Sequence, residues 1–337
     1  MAPSPATSRE PMPLEPILHR TAGHKPALAV FSAVAAAWVF VLVALGAFTT
    51  TIGAGMAFPD WPLSNGSLNP SGWLTNLAMF AEHSHRLSAM TMGILTAVLA
   101  AWLWHAEARP WLRRLSYYAL GLVVAQGVVG GLRVLLNHVQ VEALATSLGR
   151  LFAMLHACMA QAFACVLVAV AVSCSRAWIE RPVPVGRGAQ RAGTFCCVVL
   201  FVQLGIAAVM RHSFAGLAIT TFPWSTPEGG LLPAAWDFGV AIHFAHRVMA
   251  CVVAVSVLVF AVALWRDAGA PAMMRVGSLF LVGLVTLQIT LGAAVILTLR
   301  SVMVTTAHVL VGALTLVIAF WLTWLAHRDR VEGGGTP

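Results

Sequence analysis

Apolar stretches of membrane-crossing length recur along the chain at 27–52, 82–104, 116–136, 150–172, 194–211, 239–264, 276–298 and 302–326. Each is close to the ~20 residues that a helix needs to cross a hydrocarbon core about 30 Å thick. Backbone amides in lipid must bond within their own segment, so this pattern predicts helices. The stretch at 194–211 is the shortest, and its ends are the least sharply marked. The expected fold is an all-α integral membrane protein, with eight transmembrane helices forming two pseudo-symmetric four-helix bundles.

An internal duplication underlies the two halves. Ala54-Gly55-Met56-Ala57 in the first returns as Ala215-Gly216-Leu217-Ala218 in the second. At the same distance after each glycine stands a histidine, His85 within Glu82-His83-Ser84-His85-Arg86 and His246 within His243-Phe244-Ala245-His246-Arg247. Gln126 and Gly130 recur as Gln288 and Gly292, at an offset one position longer, and each half has one later apolar-run histidine, His156 or His308. The register then breaks, because the loop at 137–149 is longer than its counterpart around Leu299–Ser301. The expected division is a disordered cytoplasmic tail (1–26), an N-terminal half (27–173), a cytoplasmic linker (174–193), a C-terminal half (194–326) and a second cytoplasmic tail (327–337). The long loops at 53–81 and 212–238 are rich in Pro, Gly and Trp and are expected to lie over the bundle as lids. Trp61, Trp73, Trp224 and Trp236 suit a membrane interface.

Composition removes the soluble alternatives. Hydrophobic residues make up 59% and charged residues 9%, against about 25% charge in ordinary globular chains. The net charge of +8 is mostly a topology signal. Fourteen of the 20 Lys/Arg lie in the tails and in the loops after the second, fourth and sixth spans, which the positive-inside rule places in the cytoplasm with both termini. A multi-pass protein of the cell inner membrane follows. No basic tract interleaved with aromatics points to nucleic acid. The proline-rich segment 1–26 lacks the pattern of a secretory signal, so no cleavage is expected. The six cysteines fall in spans or at their cytoplasmic ends and read as small apolar packing residues; no C-x-x-C-H for covalent haem attachment occurs.

The candidate chemistry lies in the spans. His85, His156, His246 and His308 fall within the first two or three turns of the second, fourth, sixth and eighth spans, so roughly 5–12 Å below the outer helix ends at 1.5 Å per residue. Two imidazoles on facing helices of a bundle can grip a haem from opposite sides. One such histidine could simply be packed, but four at matched depth point to haem iron. Arg86, Arg133, Arg150, Arg211, Arg247 and Arg300 lie on the outer side, against the topology rule, and are candidates for haem propionates or for snorkelling to the interface. His83 and His138 read as interfacial, and His19, His24, His105, His212 and His327 as solvated. Glu82 shares a helix face with His85, where it could handle a proton or pair with an arginine. Its counterpart is His243, read as a secondary residue that supports the second site electrostatically or bonds a propionate. The two sites therefore differ in task.

Taken together, these features resemble the haem A synthase family over about residues 27–326. The carriers are Gly55 with Pro59-Asp60-Trp61-Pro62, the Glu82/His85/Arg86 motif, His156, His246-Arg247 and His308. The resemblance implies oxidation of a ring methyl of haem O to the formyl of haem A, through successive water-derived hydroxylations and dehydration. It implies haem b as cofactor on His246 and His308, substrate haem on His85 and His156, and Glu82 as the catalytic carboxylate. It also implies a haem O synthase, terminal oxidase assembly partners and a membrane electron acceptor as partners; an oligomer is compatible with it. Many bacterial members carry cysteine pairs in the outer loops. Here Phe58 and Ser64 stand at the first pair's positions, and the 212–238 loop has no cysteine. A b-type cytochrome passing electrons, or a haem carrier, would use the same histidines but would assign Glu82 no task.

Overall fold

The computed structural model describes residues 23–333; most of the N-terminal tail, with His19, and residues 334–337 lie outside that range. Among the described residues, eight helices are long and apolar enough to cross a membrane. They are α1 (Pro26–Thr51), α2 (Leu77–Ala106), α3 (Pro110–Leu135), α4 (Leu148–Cys174), α6 (Arg187–His212), α7 (Phe238–Arg266), α8 (Ala272–Leu297) and α9 (Val302–Ala326). Two short helices, α5 (Arg176–Glu180) and α10 (Arg328–Gly333), follow the fourth and eighth spans. The chain is an all-α integral membrane protein.

The duplication is visible in the helix bounds. The offset that relates Ala54 to Ala215 carries both ends of α1 onto those of α6. The offset that relates Gln126 to Gln288 does the same for α3 and α8. Local chemistry sets the starts. Proline opens α1 and α3, where its missing N–H costs no helical bond. Asn76, Ser147 and Asp237 cap α2, α4 and α7 by accepting from free backbone amides of the first turn. The Asn76 cap explains why α2 begins at Leu77 and not at 82, and α6 begins seven residues before the apolar run at 194.

Within the first half α1 packs on α2 and α4, α2 on α3, and α3 on α4; within the second, α6 packs on α7 and α9, α7 on α8, and α8 on α9. The halves meet where α9 contacts α1 and α4, and where α4 contacts α6. Exposed Val30, Met90, Ile94, Tyr118, Phe195, Val255, Val259, Leu279 and Phe280 form apolar outer faces, as expected where lipid replaces water.

Two segments are more ordered than tail and linker readings suggest. Trp178, in the 174–193 linker, is fully buried and stacks on Trp324, with Trp111 beside both. In the C-terminal segment α10 docks back, because Glu332 accepts from Arg109 and from the indole of Trp178, and Asp329 accepts from the amide of Val183. Glu107 completes this charged knot with Arg109. Burial pushes the Glu107 carboxyl up, but hydrogen bonds from Arg109 outweigh it and hold the group below its ordinary value. The 137–149 loop holds a small antiparallel pair, Gln140–Val141 against Thr146–Ser147.

Candidate functional site

His85, His156 and His246 each stand eight residues after the first residue of their helix, and His308 six after the start of α9. Alternating helix direction puts all four starts at one end of the molecule. The imidazoles are seated by neighbours without side chains. A Cβ on Gly46 would lie 3.1 Å from His85, one on Gly130 2.9 Å from His156, and one on Gly292 3.2 Å from His308. Gly130 and Gly292 are the repeated glycines, so the duplication preserves the cradle as well as the ligand candidate.

The residues fit a haem. The His246 and His308 ring centroids are 6.4 Å apart. An iron between two opposed imidazoles, with bonds of about 2 Å, would hold centroids roughly 6–6.5 Å apart. The glycines set Nδ1 of His85 and His156 against the backbone at Leu42 and Gln126 on the neighbouring helix, which leaves Nε2 as the nitrogen to face an iron. No group of three or more His, Cys, Asp or Glu among the described residues could hold a metal ion. Two histidines suffice only where another molecule supplies the remaining ligands, as a porphyrin does.

The sites differ in support. The Gln203 amide nitrogen lies 3.1 Å from both His246 Nδ1 and the His246 carbonyl oxygen. In the repeat, Leu42 occupies the position of Gln203. Gln288 reaches the His308 ring at 3.3 Å, whereas Gln126 donates to the His156 backbone carbonyl at 2.8 Å. Gln203 thus meets His246 at Nδ1, the nitrogen that an iron would leave free, whereas Gln288 meets His308 at Nε2, the nitrogen that an iron would take; among the described residues no side-chain amide reaches the rings of the first pair.

Glu82 and His243 hold equivalent positions in a repeated loop clamp. Glu82 is buried; Oε2 accepts from the amide of Phe58 at 3.1 Å and Oε1 from Arg86 at 2.7 Å. Arg86 also donates to the carbonyls of Phe58, Asp60 and Leu63. In the second half, the amide of Ile219 donates to His243 Nδ1 at 3.2 Å, and Arg247 donates to the carbonyls of Ile219, Thr221 and Trp224. Every partner is displaced along the chain by the offset that relates His85 to His246. Arg86 and Arg247, expected at propionates, thus spend both terminal nitrogens on loop backbone. The clamped segment carries Trp61 onto α3, where a Cβ on Gly131 would meet its ring at 2.5 Å, one residue from the His156 cradle.

Sequence reasoning missed other assignments. His83, read as interfacial, is buried; Ser64 Oγ lies 3.1 Å from its ring and Trp73 and Phe58 pack on it. Phe58 and Ser64 thus converge on His83. His212, read as solvated, is the half-buried last residue of α6, because that helix continues past the apolar run. Arg211 donates to the Ala47 carbonyl and to Thr51, both on α1. Arg133 lies so close against Gly55 that a Cβ there would collide with its Nη2. Arg150 lies over the ring of Phe214 at 5.1 Å, and Arg300 is within electrostatic reach of Arg211. Asp60 accepts from the amides of Asn65 and Gly66; slight burial raises its carboxyl, but these bonds keep it below its ordinary value.

Fold and site together define a class: an eight-span membrane protein built by duplication, with two candidate ligand histidines in each half, of which His246 and His308 face each other. Residues 29–320 match the family model described as COX15-CtaA, cytochrome oxidase assembly protein, and the chain belongs to that family. It is 26% identical over 310 residues to a protein of Geobacillus kaustophilus named heme A synthase, covering 89% of this chain and 91% of that one. Heme A synthases of Alkalihalophilus pseudofirmus (26% over 236 residues; 69% and 74% covered) and Brucella ovis (25% over 299 residues; 77% and 80% covered) are similar as well.

Proposed function

We propose that this chain is a haem A synthase, an oxidoreductase that converts a ring methyl of haem O to a formyl group. The observation that carries this reading is the asymmetry between two equivalent histidine sites, in a chain whose relatives bear that name. The two rings of helix contacts support two pseudo-symmetric four-helix bundles. The positive-inside arrangement supports cytoplasmic termini and sites near the outer face of the inner membrane.

His246 and His308, with ring centroids 6.4 Å apart and a glutamine amide at His246 Nδ1, would hold haem b as a resident cofactor. When bound, that group supplies one-electron redox chemistry. His85 and His156 lack such support, which suits a substrate that must enter and leave. Arg133, Arg150, Arg211 and Arg300 would meet propionates, with Arg86 and Arg247 one layer further out. Glu82 would orient water or accept protons as the methyl is oxidised in water-derived steps, the last losing water from a geminal diol. To do so its carboxylate must exchange one of its two present hydrogen bonds. Trp61, packed on Gly131, would cover one side of that site. Electrons leave to a membrane acceptor; haem O delivery and oxidase assembly supply the partners.

The clamp provides the test. Histidine already fits it at His243, so Glu82→His should keep the loop in place while removing the carboxylate. We expect both haems to be retained and haem A to disappear from extracts of cells that make haem O. Undiminished haem A in that variant would refute the role of Glu82, and no haem A even from wild type would favour a cytochrome that only passes electrons.

A further inference from the structure

The outer ends of the helices hold more cations than their surroundings neutralise. Of the five ion pairs among the described residues, only Glu82–Arg86 lies at this end. Arg133 has no hydrogen-bond or ion-pair partner among those residues, although its guanidinium lies against Gly55 and within electrostatic reach of both His85 and His156. The Glu82 carboxylate is also within its reach but is already bonded to Arg86 and to the Phe58 amide. Around Arg133 stand Arg150, which packs across the halves onto Phe214, and His212, within reach of Arg133, Arg150 and His156. His212 is therefore a residue of the second half placed beside the first site. Its neighbour Arg211 is tied to α1 and lies within reach of His308. One helix end lies within electrostatic reach of both sites.

This cluster is not part of the duplication. The offset that relates Gly130 to Gly292 sets Val295 opposite Arg133, and the one that relates His85 to His246 sets Thr51 opposite His212. An unpaired arginine in a low-dielectric setting is costly unless an anion joins it. We propose that Arg133, Arg150 and His212 form an anion site at the seam between the halves, which takes a carboxylate of the haem in the first site. The proposal rests on the histidine reading of that site and adds that the first site is incomplete without the second half.

Iron protoporphyrin IX and its dimethyl ester make the test, because the ester keeps iron and ring but lacks carboxylates. The full chain, purified in detergent, is titrated with each and followed by Soret difference spectra; the variant lacking His85 and His156 identifies the first-site event. Wild type should prefer the free acid at that site by roughly tenfold or more, the scale of one charge-assisted bond. Arg133→Val, which installs the residue the second half already uses, and His212→Ala should each lose most of that preference while binding the ester normally. An unchanged preference in both variants, or none in wild type, overturns the seam. If the doubly substituted histidine variant still binds both probes as wild type does, the histidine reading fails, and the seam proposal with it.

Discussion

Gly130 offers a measure of how tightly the sites are built. An alanine there would set its Cβ 2.9 Å from His156 Cε1 and 3.3 Å from Nδ1. Real carbon contacts do not close to that distance, so the imidazole or the helix must move. Overpacking of this kind costs about 1–3 kcal/mol, against up to ~1 kcal/mol gained from helix propensity. The cheapest relief is rotation of the ring away from α3, which is also away from a ligating position. We expect Gly130→Ala to weaken haem retention in the first site by roughly 10–100-fold. Gly127, one turn earlier on α3, has open space where its Cβ would be, so Gly127→Ala is the internal control and should retain haem fully. Gly292→Ala meets His308 at 3.2 Å and should loosen the second site less, with Gly283→Ala on α8 as its control. The assay is haem per polypeptide after gel filtration, by pyridine haemochrome, with thermal unfolding alongside. Equal retention in Gly130→Ala and Gly127→Ala would show that the glycine cradle does not position the imidazole.

Three further outcomes follow from the clamp and the charged knot. Arg86→Ala leaves the buried Glu82 carboxylate without its cation, at a cost of about 3 kcal/mol, and should speed proteolytic cutting between Phe58 and Leu63; equal cutting rates contradict the clamp. Glu332→Gln should loosen α10 from Arg109 and Trp178, read as faster amide hydrogen exchange in Arg328–Gly333; unchanged exchange removes the docking argument. Glu107 is held below its ordinary 4.5, so its contribution is complete above that value and is lost as pH falls through the depressed one. The Tm advantage of wild type over Glu107→Gln should therefore shrink in acid, and a constant gap would refute the assignment.

The helical fold and the repeat of the histidine positions are legible because both are written in spacing. A bilayer demands long apolar runs, and a duplicated chain repeats its ligand positions at a fixed interval. What is not legible depends on partners brought together only by folding. Arg86 stands next to a histidine in sequence, which suggests a propionate. Its acceptors are loop carbonyls 23 to 28 residues away, and no local pattern announces them. A signal is present all the same: the clamp partners repeat at the interval of the histidines, so register alone pairs Phe58/Ile219 and Asp60/Thr221 with the arginines. His212 escapes a hydropathy reading because hydropathy falls at a polar pair, Arg211 and His212, while the helix continues through it. The docked α10 depends on Glu332 meeting residues more than 150 positions away.

The central claim is that imidazole pairs in the two halves bind haem and that only the half carrying Glu82 oxidises it. The most direct measurement is mass analysis of pigments extracted from the purified protein after expression with a haem O source, for wild type, His85→Ala and His246→Ala. Wild type should yield haem b together with a formylated, farnesylated haem. His246→Ala should lose haem b, and His85→Ala should keep haem b but form no formyl product. A formylated haem in undiminished yield from His85→Ala, or only haem b from wild type, would contradict the account.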